Sequence, residues 1–165
     1  YNFKFDEVNV MNELVYRNLS EDAKRQICAW KYGGEYDLYN LPSYEEMQVR
    51  QIGFMNPQRE KNYYGFWDES ILVGFVNILE EKEEVFIGIG VNPDLCNKHY
   101  GQRMLLITYE ISKKLYPNKP LYLEVRTWNI RAVKCYQKAG FRIDGQAYEL
   151  TTGIGTGTFY RMIRE

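Results

Sequence analysis

The chain has 165 residues, is 45% hydrophobic and 26% charged, and carries a net charge of −1, the size and balance of one soluble globular domain over 1–165 with room for a core. No apolar run approaches the roughly 20 residues that a membrane-crossing helix needs. The opening YNFKFDEVNV has neither a basic head nor an apolar signal core, so a cytoplasmic location is expected.

Cys28, Cys96 and Cys135 are odd in number and widely spaced; they fit no zinc or disulfide pattern, which suits a reducing compartment. Charge is unevenly spread. Residues 1–93 hold nine Lys/Arg against sixteen Asp/Glu, whereas residues 94–142 hold ten against three. A basic half suits an anionic ligand and an acidic half a cationic one; solvated helix faces would give the same counts.

In chain order, Phe3 and Phe5 alternate in a first strand over residues 2–8. A helical stretch covers residues 10–32, broken near Leu19, with Ser20 as N-cap of its second part and Gly33-Gly34 as its stop. An aromatic loop, residues 36–44, leads through Pro42-Ser43 into a short helix over 45–52. Residues 63–67, 71–79 and 85–91 are β-branched or aromatic runs, read as strands joined by turns at 68–70 and 80–84. Met104, Ile107, Ile111 and Leu115 recur at helical spacing over residues 100–115, bounded by Pro117 and Pro120. A strand at 121–125, a helix at 129–139 and a strand at 141–150 follow. The Gly-rich TTGIGTG then leads to a last strand at 158–163. The order β-α-α-β-β-β-α-β-α-β-β is that of a mixed α/β sheet, about seven strands with about four helices.

Two places carry chemistry. The segment IGIGVNPDLCNKHYGQRMLL joins a strand to a helix through a tight turn, and a helix start favours phosphate through its free N–H groups and dipole. Lys98 and Arg103 add positive charge nearby; a plain strand–helix connection would look the same. In LYLEVR, alternation puts Tyr122, Glu124 and Arg126 on one face. A carboxylate on an aromatic face is partly desolvated, a setting that suits a general base. The other reading of Glu124 is a solvated residue paired with Arg126 or a cross-strand Lys.

The stretch LYLEVRTWNIRAVKCYQKAGF, a strand running into a short helix, holds Asn-x-x-Ala-x-x-x-Tyr-x-x-x-Gly-Phe from Asn129 to Phe141. It resembles the second signature of the GNAT superfamily of N-acetyltransferases, and the element order along nearly the whole chain resembles the GNAT fold. With Glu124, Asn129 and Tyr136 at this spacing, the core is similar to that of the bacterial N-terminal alanine acetyltransferases of ribosomal proteins. That resemblance implies Glu124 as base, Tyr136 as the acid beside the coenzyme A sulfur, and Asn129 as a coenzyme contact. Tyr136 also fits a core tyrosine, and Asn129 an N-cap. The family's main acetyl-CoA motif, Arg/Gln-x-x-Gly-x-Gly/Ala, falls on Cys96, His99 and Gly101, so two of its three positions depart from the pattern. A left-handed backbone at position 99 would strain His99. The resemblance implies pyrophosphate contacts from Asn97, Lys98, His99, Tyr100, Gly101 and Gln102, and backbone contacts to the acetyl and pantetheine groups from Ile89, Gly90 and Val91.

The acceptor side in this family lies on the first helices, the loop between them and the penultimate hairpin. Here Trp30, Tyr32, Tyr36, Tyr39 and Tyr44 suit a stacked cation, with Glu35 and Asp37 beside them, or simply brace the loop. This region does not resemble the alanine acetyltransferases. His99 is the single histidine, so a His-based triad or multi-His metal site is not expected, and no Walker A sequence occurs. The expectation is an acetyl-CoA-dependent N-acetyltransferase using direct transfer, with no metal. Its acceptor would be an amine-bearing small molecule, a peptide or protein N-terminus, or a lysine. Neither nucleic acid nor membrane is an expected partner, and a homodimer stays open. The rival is a non-catalytic acyl-CoA-binding or protein-interaction domain that kept the fold.

Overall fold

The computed structural model describes residues 13–165, so the strand expected at 2–8 lies outside the described residues. Strand β1 (Val15–Asn18) precedes helices α1 (Glu21–Ala29) and α2 (Tyr44–Arg50). The meander β2 (Tyr63–Asp68), β3 (Ile71–Glu80) and β4 (Val85–Val91) follows, then α3 (Tyr100–Leu115), β5 (Leu121–Arg126) and α4 (Ile130–Lys138). The chain closes with β6 (Arg142–Ile143), β7 (Tyr148–Thr152) and β8 (Gly155–Arg164). These eight strands form one sheet in the order β1-β2-β3-β4-β5-β8-β6, with β7 also on β8. Every pairing is antiparallel except β4–β5.

The meander, α3, β5 and α4 fall where the hydrophobic periods put them. Five expectations need correction. Residues 15–18 are a strand and not part of a helix, because their backbone pairs with Tyr64–Trp67 across the sequence. Tyr16 packs on Tyr64 and Phe66, Arg17 lies 3.8 Å over the Trp67 ring, and Asn18 Nδ2 donates to the carbonyls of Lys61 and Tyr63. Tertiary pairing overrides a local period of this length. Ser20 does cap α1, accepting from Ala23 N at 3.1 Å, but the helix ends at Ala29, before Gly33-Gly34.

The strand expected at 141–150 is broken. Residues 144–147 stand opposite only Tyr160 and Arg161 of β8, with Gly145 at φ +77° inside the bulge. The Gly-rich segment does not merely lead to the last strand: it forms the β7–β8 hairpin itself, so β8 starts at Gly155 and not at residue 158. Finally, Leu115 is 49% exposed, and the buried stripe of α3 runs through Met104, Leu105, Thr108, Ile111 and Ser112.

Two apolar cores sit on opposite faces of the sheet. Helices α3 and α4 press Met104, Leu105, Ile111 and Val133 against Val76, Ile78, Ile87, Leu121, Leu123 and Val125. On the other face α1, α2 and the segment after them bury Ile27, Met47 and Phe54 against Trp67, Leu72 and Phe75. Each such side chain contributes roughly 1.5–3 kcal/mol when fully buried. Lys24, buried, ties α1 to the turn before β2 through Glu21 at 2.9 Å and Glu60 at 2.7 Å. No helix among the described residues is long and apolar enough to cross a membrane.

The sheet opens at its centre. Strands β4 and β5 share only two paired positions, Val85 with Leu121 and Phe86 with Tyr122. Beyond these the strands diverge, although β4 stays paired to β3 as far as Val91 and β5 stays paired to β8 as far as Arg126. Backbone groups of residues 87–91 and 123–126 that would close a continuous sheet are left facing each other across a gap.

Candidate active site

That gap is part of a cleft of about 710 Å³ that reaches both faces of the sheet. On one face it is lined by the turn before α3 and by α4. On the other it is lined by residues of the loop between α1 and α2 and by the outer face of β5 and β8.

The turn before α3 is shaped by local chemistry. Asn92 anchors it: its N–H donates to Val73 O at 2.8 Å, its Nδ2 to Leu72 O, and its Oδ1 accepts from Asp94 N. Pro93 opens a short 3-10 turn, and the chain then enters the helix through two left-handed residues, Asn97 at φ +64° and His99 at φ +65°. His99 is the N-cap of α3 but makes no side-chain capping bond. The first helical bond at this end is Arg103 N to His99 O, so the N–H groups of Tyr100, Gly101 and Gln102 have no partner one turn back. A Cβ on Gly101 would come within 3.0 Å of Cys135 Sγ, so Gly101 lets α3 and α4 approach closely. Tyr100 OH donates to Asp68 Oδ2 at 2.6 Å and pins the start of the helix to β2.

Asn129 caps α4, its Oδ1 accepting from Ala132 N at 3.2 Å, while its Nδ2 donates to Tyr39 OH at 3.3 Å. It is therefore both a cap and a cleft residue. Tyr136, about two turns further along α4, lines the cleft and its hydroxyl bonds to no described residue. Burial pushes this phenol well above its ordinary value, helped by the nearby Cys135, Tyr39 and Tyr32. It is thus a protonated donor throughout the neutral range. Burial also pushes the Cys96 and Cys135 thiols up, so neither is a thiolate nucleophile at neutral pH.

Glu124 faces the other side. Its cross-strand neighbour is Arg161, but that guanidinium is taken by Glu84 and by Asp144 at 3.3 Å. Glu124 makes no ion pair with a described residue; its partner is the Tyr148 hydroxyl, which donates to Oε2 at 2.5 Å. Burial and this bond hold the Tyr148 phenol up, so the proton stays on the tyrosine. The ion-pair alternative for Glu124 is therefore not what the structure shows. Tyr122, on the same face, donates instead to Glu81 Oε1 at 2.7 Å.

The cleft brings together Glu124, Tyr136, Ile89, Gly90, Val91, Asn97, His99, Tyr100, Gly101, Gln102 and Asn129. Lys98 is exposed and does not line it. Of the aromatic loop, Trp30, Tyr32, Tyr36 and Tyr39 line the cleft. Tyr32 OH donates to Val91 O at 2.6 Å, and Tyr36 and Tyr39 pack on Trp128 at the foot of α4. Tyr44 is elsewhere, bonded to Glu21 with Arg25 over its ring, and Glu35 and Asp37 do not reach the cleft. Sequence reasoning missed Tyr148, Phe86 and Phe159. All three alternate correctly for this face, but nothing local says that Tyr148 lies two strands from Glu124. No cluster of three or more metal-ligating side chains occurs among the described residues.

Solved structures of known proteins share this fold. The solved structure of a spermidine N-acetyltransferase SpeG chimera from Vibrio cholerae and hSSAT superposes with a TM-score of 0.71 at 20% identity, covering 92% of this chain and 94% of that one. AAC(6')-Ib in complex with ribostamycin and coenzyme A gives 0.71 at 16% identity, covering 92% and 93%. A GNAT-family acetyltransferase from Streptococcus pneumoniae gives 0.65 at 23% identity, covering 92% and 98%. No curated protein sequence matches the chain. The sequence profile of the Acetyltransferase (GNAT) family matches residues 16–141, and the chain belongs to that family.

Proposed function

We propose that this protein transfers the acetyl group of acetyl-CoA directly to a primary amine, with Glu124 as base and Tyr136 as acid. The observation that carries this reading is the parted β4–β5 seam. It leaves amide groups free to bond an amide-rich pantetheine arm, with a carboxylate on one face and an unpartnered phenol on the other. The pyrophosphate fits the free N–H groups at the start of α3, with Asn97, His99 and Asn129 around it. That is a main-chain site, so Cys96 and His99 at the motif's usual Arg/Gln and Gly positions do not remove it. The same domain spans residues 1–165 in this reading.

The chemistry balances as follows. Glu124, directly or through water, takes a proton from the acceptor ammonium. The freed nitrogen lone pair attacks the thioester carbonyl carbon, a C–N bond forms, and the C–S bond breaks. Tyr136 donates a hydrogen bond to the sulfur as charge builds there and passes its proton to the departing thiolate. The phenol is regained from solvent as Glu124 gives up its proton. The raised thiols of Cys96 and Cys135 argue against an acetyl-cysteine intermediate.

The test is release of free thiol from acetyl-CoA with a panel of amines and peptides. Turnover on any acceptor above background hydrolysis is the expected result. The left-handed His99 favours a second reading, a domain that binds acyl-CoA without catalysis. Stabilisation by acetyl-CoA with no transfer to any acceptor would establish that reading, and no stabilisation at all would remove both.

A further inference from the structure

Arg126 has no part in the transfer described above. It ends β5, is only 8% exposed, and lines the cleft. Alternation places it on the face of Glu124, opposite Phe159, whose ring centre is 4.9 Å from its Cζ. A Cβ on Gly157 would overlap its Nη1, so the side chain lies across β8. Among the described residues it makes no ion pair. Nor does it take part in any side-chain hydrogen bond among the described residues; Glu124, two residues back on the same face, bonds to Tyr148.

The Arg126 guanidinium therefore opens onto the cleft with one ring face beside it and no described side chain matching its charge, which leaves it free to meet an anionic group there. Its position says which ligand does so. The turn for the coenzyme pyrophosphate lies on the α3–α4 side, whereas Arg126 shares the opposite face with Glu124, Tyr148 and Phe86. A repeat of two residues separates the Glu124 and Arg126 Cα atoms by about 6.6–6.8 Å. A carboxylate a few bonds from an amine spans charges spaced on that scale.

We propose that Arg126 binds the carboxylate of the acceptor, which makes the acceptor a small amino-carboxylate of the α-amino-acid class, its amine presented to Glu124. This rests on the acetyltransferase reading and narrows its substrate. Glu124 is the one acidic residue among those described that line the cleft, and the basic Arg126 shares its face. A polycation would meet like charge there, while a zwitterion meets both of its partners. Trp30, Tyr36, Tyr39 and Phe86 add an aromatic wall for an apolar side chain.

The test is calorimetric titration of the CoA-saturated protein with phenylalanine, methionine and leucine, each beside its α-amide. The amino acid should bind about tenfold more tightly than its amide, as a buried charge-assisted pair requires. Arg126→Gln should erase that preference and Arg126→Lys restore part of it, with the acetyl-CoA dissociation constant within about threefold of wild type. Gly157→Ala displaces the guanidinium while keeping the charge, and should also weaken the preference if Arg126→Gln fails to fold. Equal binding of acid and amide, no binding of any amino acid at millimolar concentration, or variants that lose acetyl-CoA instead of the preference would overturn the proposal. Thiol release on other amines keeps the two readings apart: transfer without carboxylate preference removes only the role of Arg126, and failure to bind acetyl-CoA removes the transferase reading itself.

Discussion

On the α3–α4 side of the cleft the groups on offer are mostly main chain: the N–H groups of Tyr100, Gly101 and Gln102 and the unpaired edge of residues 87–91. On the opposite side they are side chains: an indole, several phenols, one carboxylate and one guanidinium. The first wall suits a ligand that never changes, because backbone geometry survives substitution. The second suits a ligand that must be told from others, because each side chain can be exchanged. Tyr136 stands on the first wall and Glu124 on the second, so the two halves of the proton chemistry come from different structural logics.

The largest effect expected from breaking this arrangement is at Tyr136. Tyr136→Phe removes one hydroxyl that bonds to no described residue, so melting temperature and acetyl-CoA affinity should hold. The maximal rate, kcat, should fall by about 10²–10⁴-fold, the usual worth of a positioned acid. Burial holds this phenol above its ordinary value near 10, so it remains protonated as pH rises. Wild-type kcat should therefore not decline between roughly pH 7 and 10. A rate-limiting chemical step with unchanged kcat in the mutant would return Tyr136 to the packing residues.

Glu124→Gln should be nearly as severe at neutral pH and milder at high pH. Glutamine keeps the shape and accepts a bond from Tyr148, but it cannot take a proton. An acceptor amine with pKa near ~10 is mostly ammonium at pH 7, and it deprotonates itself as pH approaches that value. The mutant's deficit should shrink accordingly across a pH–rate profile. A flat, small deficit with a lowered melting temperature would make Glu124 structural. Tyr148→Phe tests the same carboxylate from one step away. Loss of a hydrogen bond to a charged group costs roughly 1.5–3 kcal/mol, so kcat/KM should drop by about tenfold or more, with the acetyl-CoA KM unchanged.

The two walls also differ in what the sequence discloses. The first is written in local grammar: a strand, Asn92-Pro93, a turn and a helix, then Asn129, Ala132 and Tyr136 at helical spacing. Its elements were legible from these local signals, although Asn92 bonding to Leu72 and Val73 and Tyr100 to Asp68 was not, nor was the exposure of Lys98. The second wall depends on pairs far apart in the chain. Tyr32 reaches Val91, Tyr39 reaches Asn129, and Tyr148 reaches Glu124 across β8. Alternation told which face Glu124 and Arg126 share, but not that Arg161 would be claimed by Glu84 and Asp144. The same limit explains β1, which local period assigned to a helix and which pairing with β2 made a strand. The bulge at residues 144–147 likewise depends on what β8 presents opposite it.

The smallest effect, and the one that most sharpens the contrast between the walls, is expected at His99. Its left-handed backbone costs an L-residue roughly 1–2 kcal/mol, and glycine would remove that strain while adding about 0.5–1 kcal/mol of chain entropy to the unfolded state. These nearly cancel. For His99→Gly the melting temperature should move by no more than about 2–4 °C. If the coenzyme is held by N–H groups, its affinity should also stay within about threefold, since φ +65° is as open to glycine as to histidine. A fall in acetyl-CoA affinity well beyond that, at unchanged stability, would mean that the imidazole itself touches the ligand. The α3 wall would then read its ligand through side chains as the other wall does, and the division between backbone-built and side-chain-built halves of the cleft would not hold.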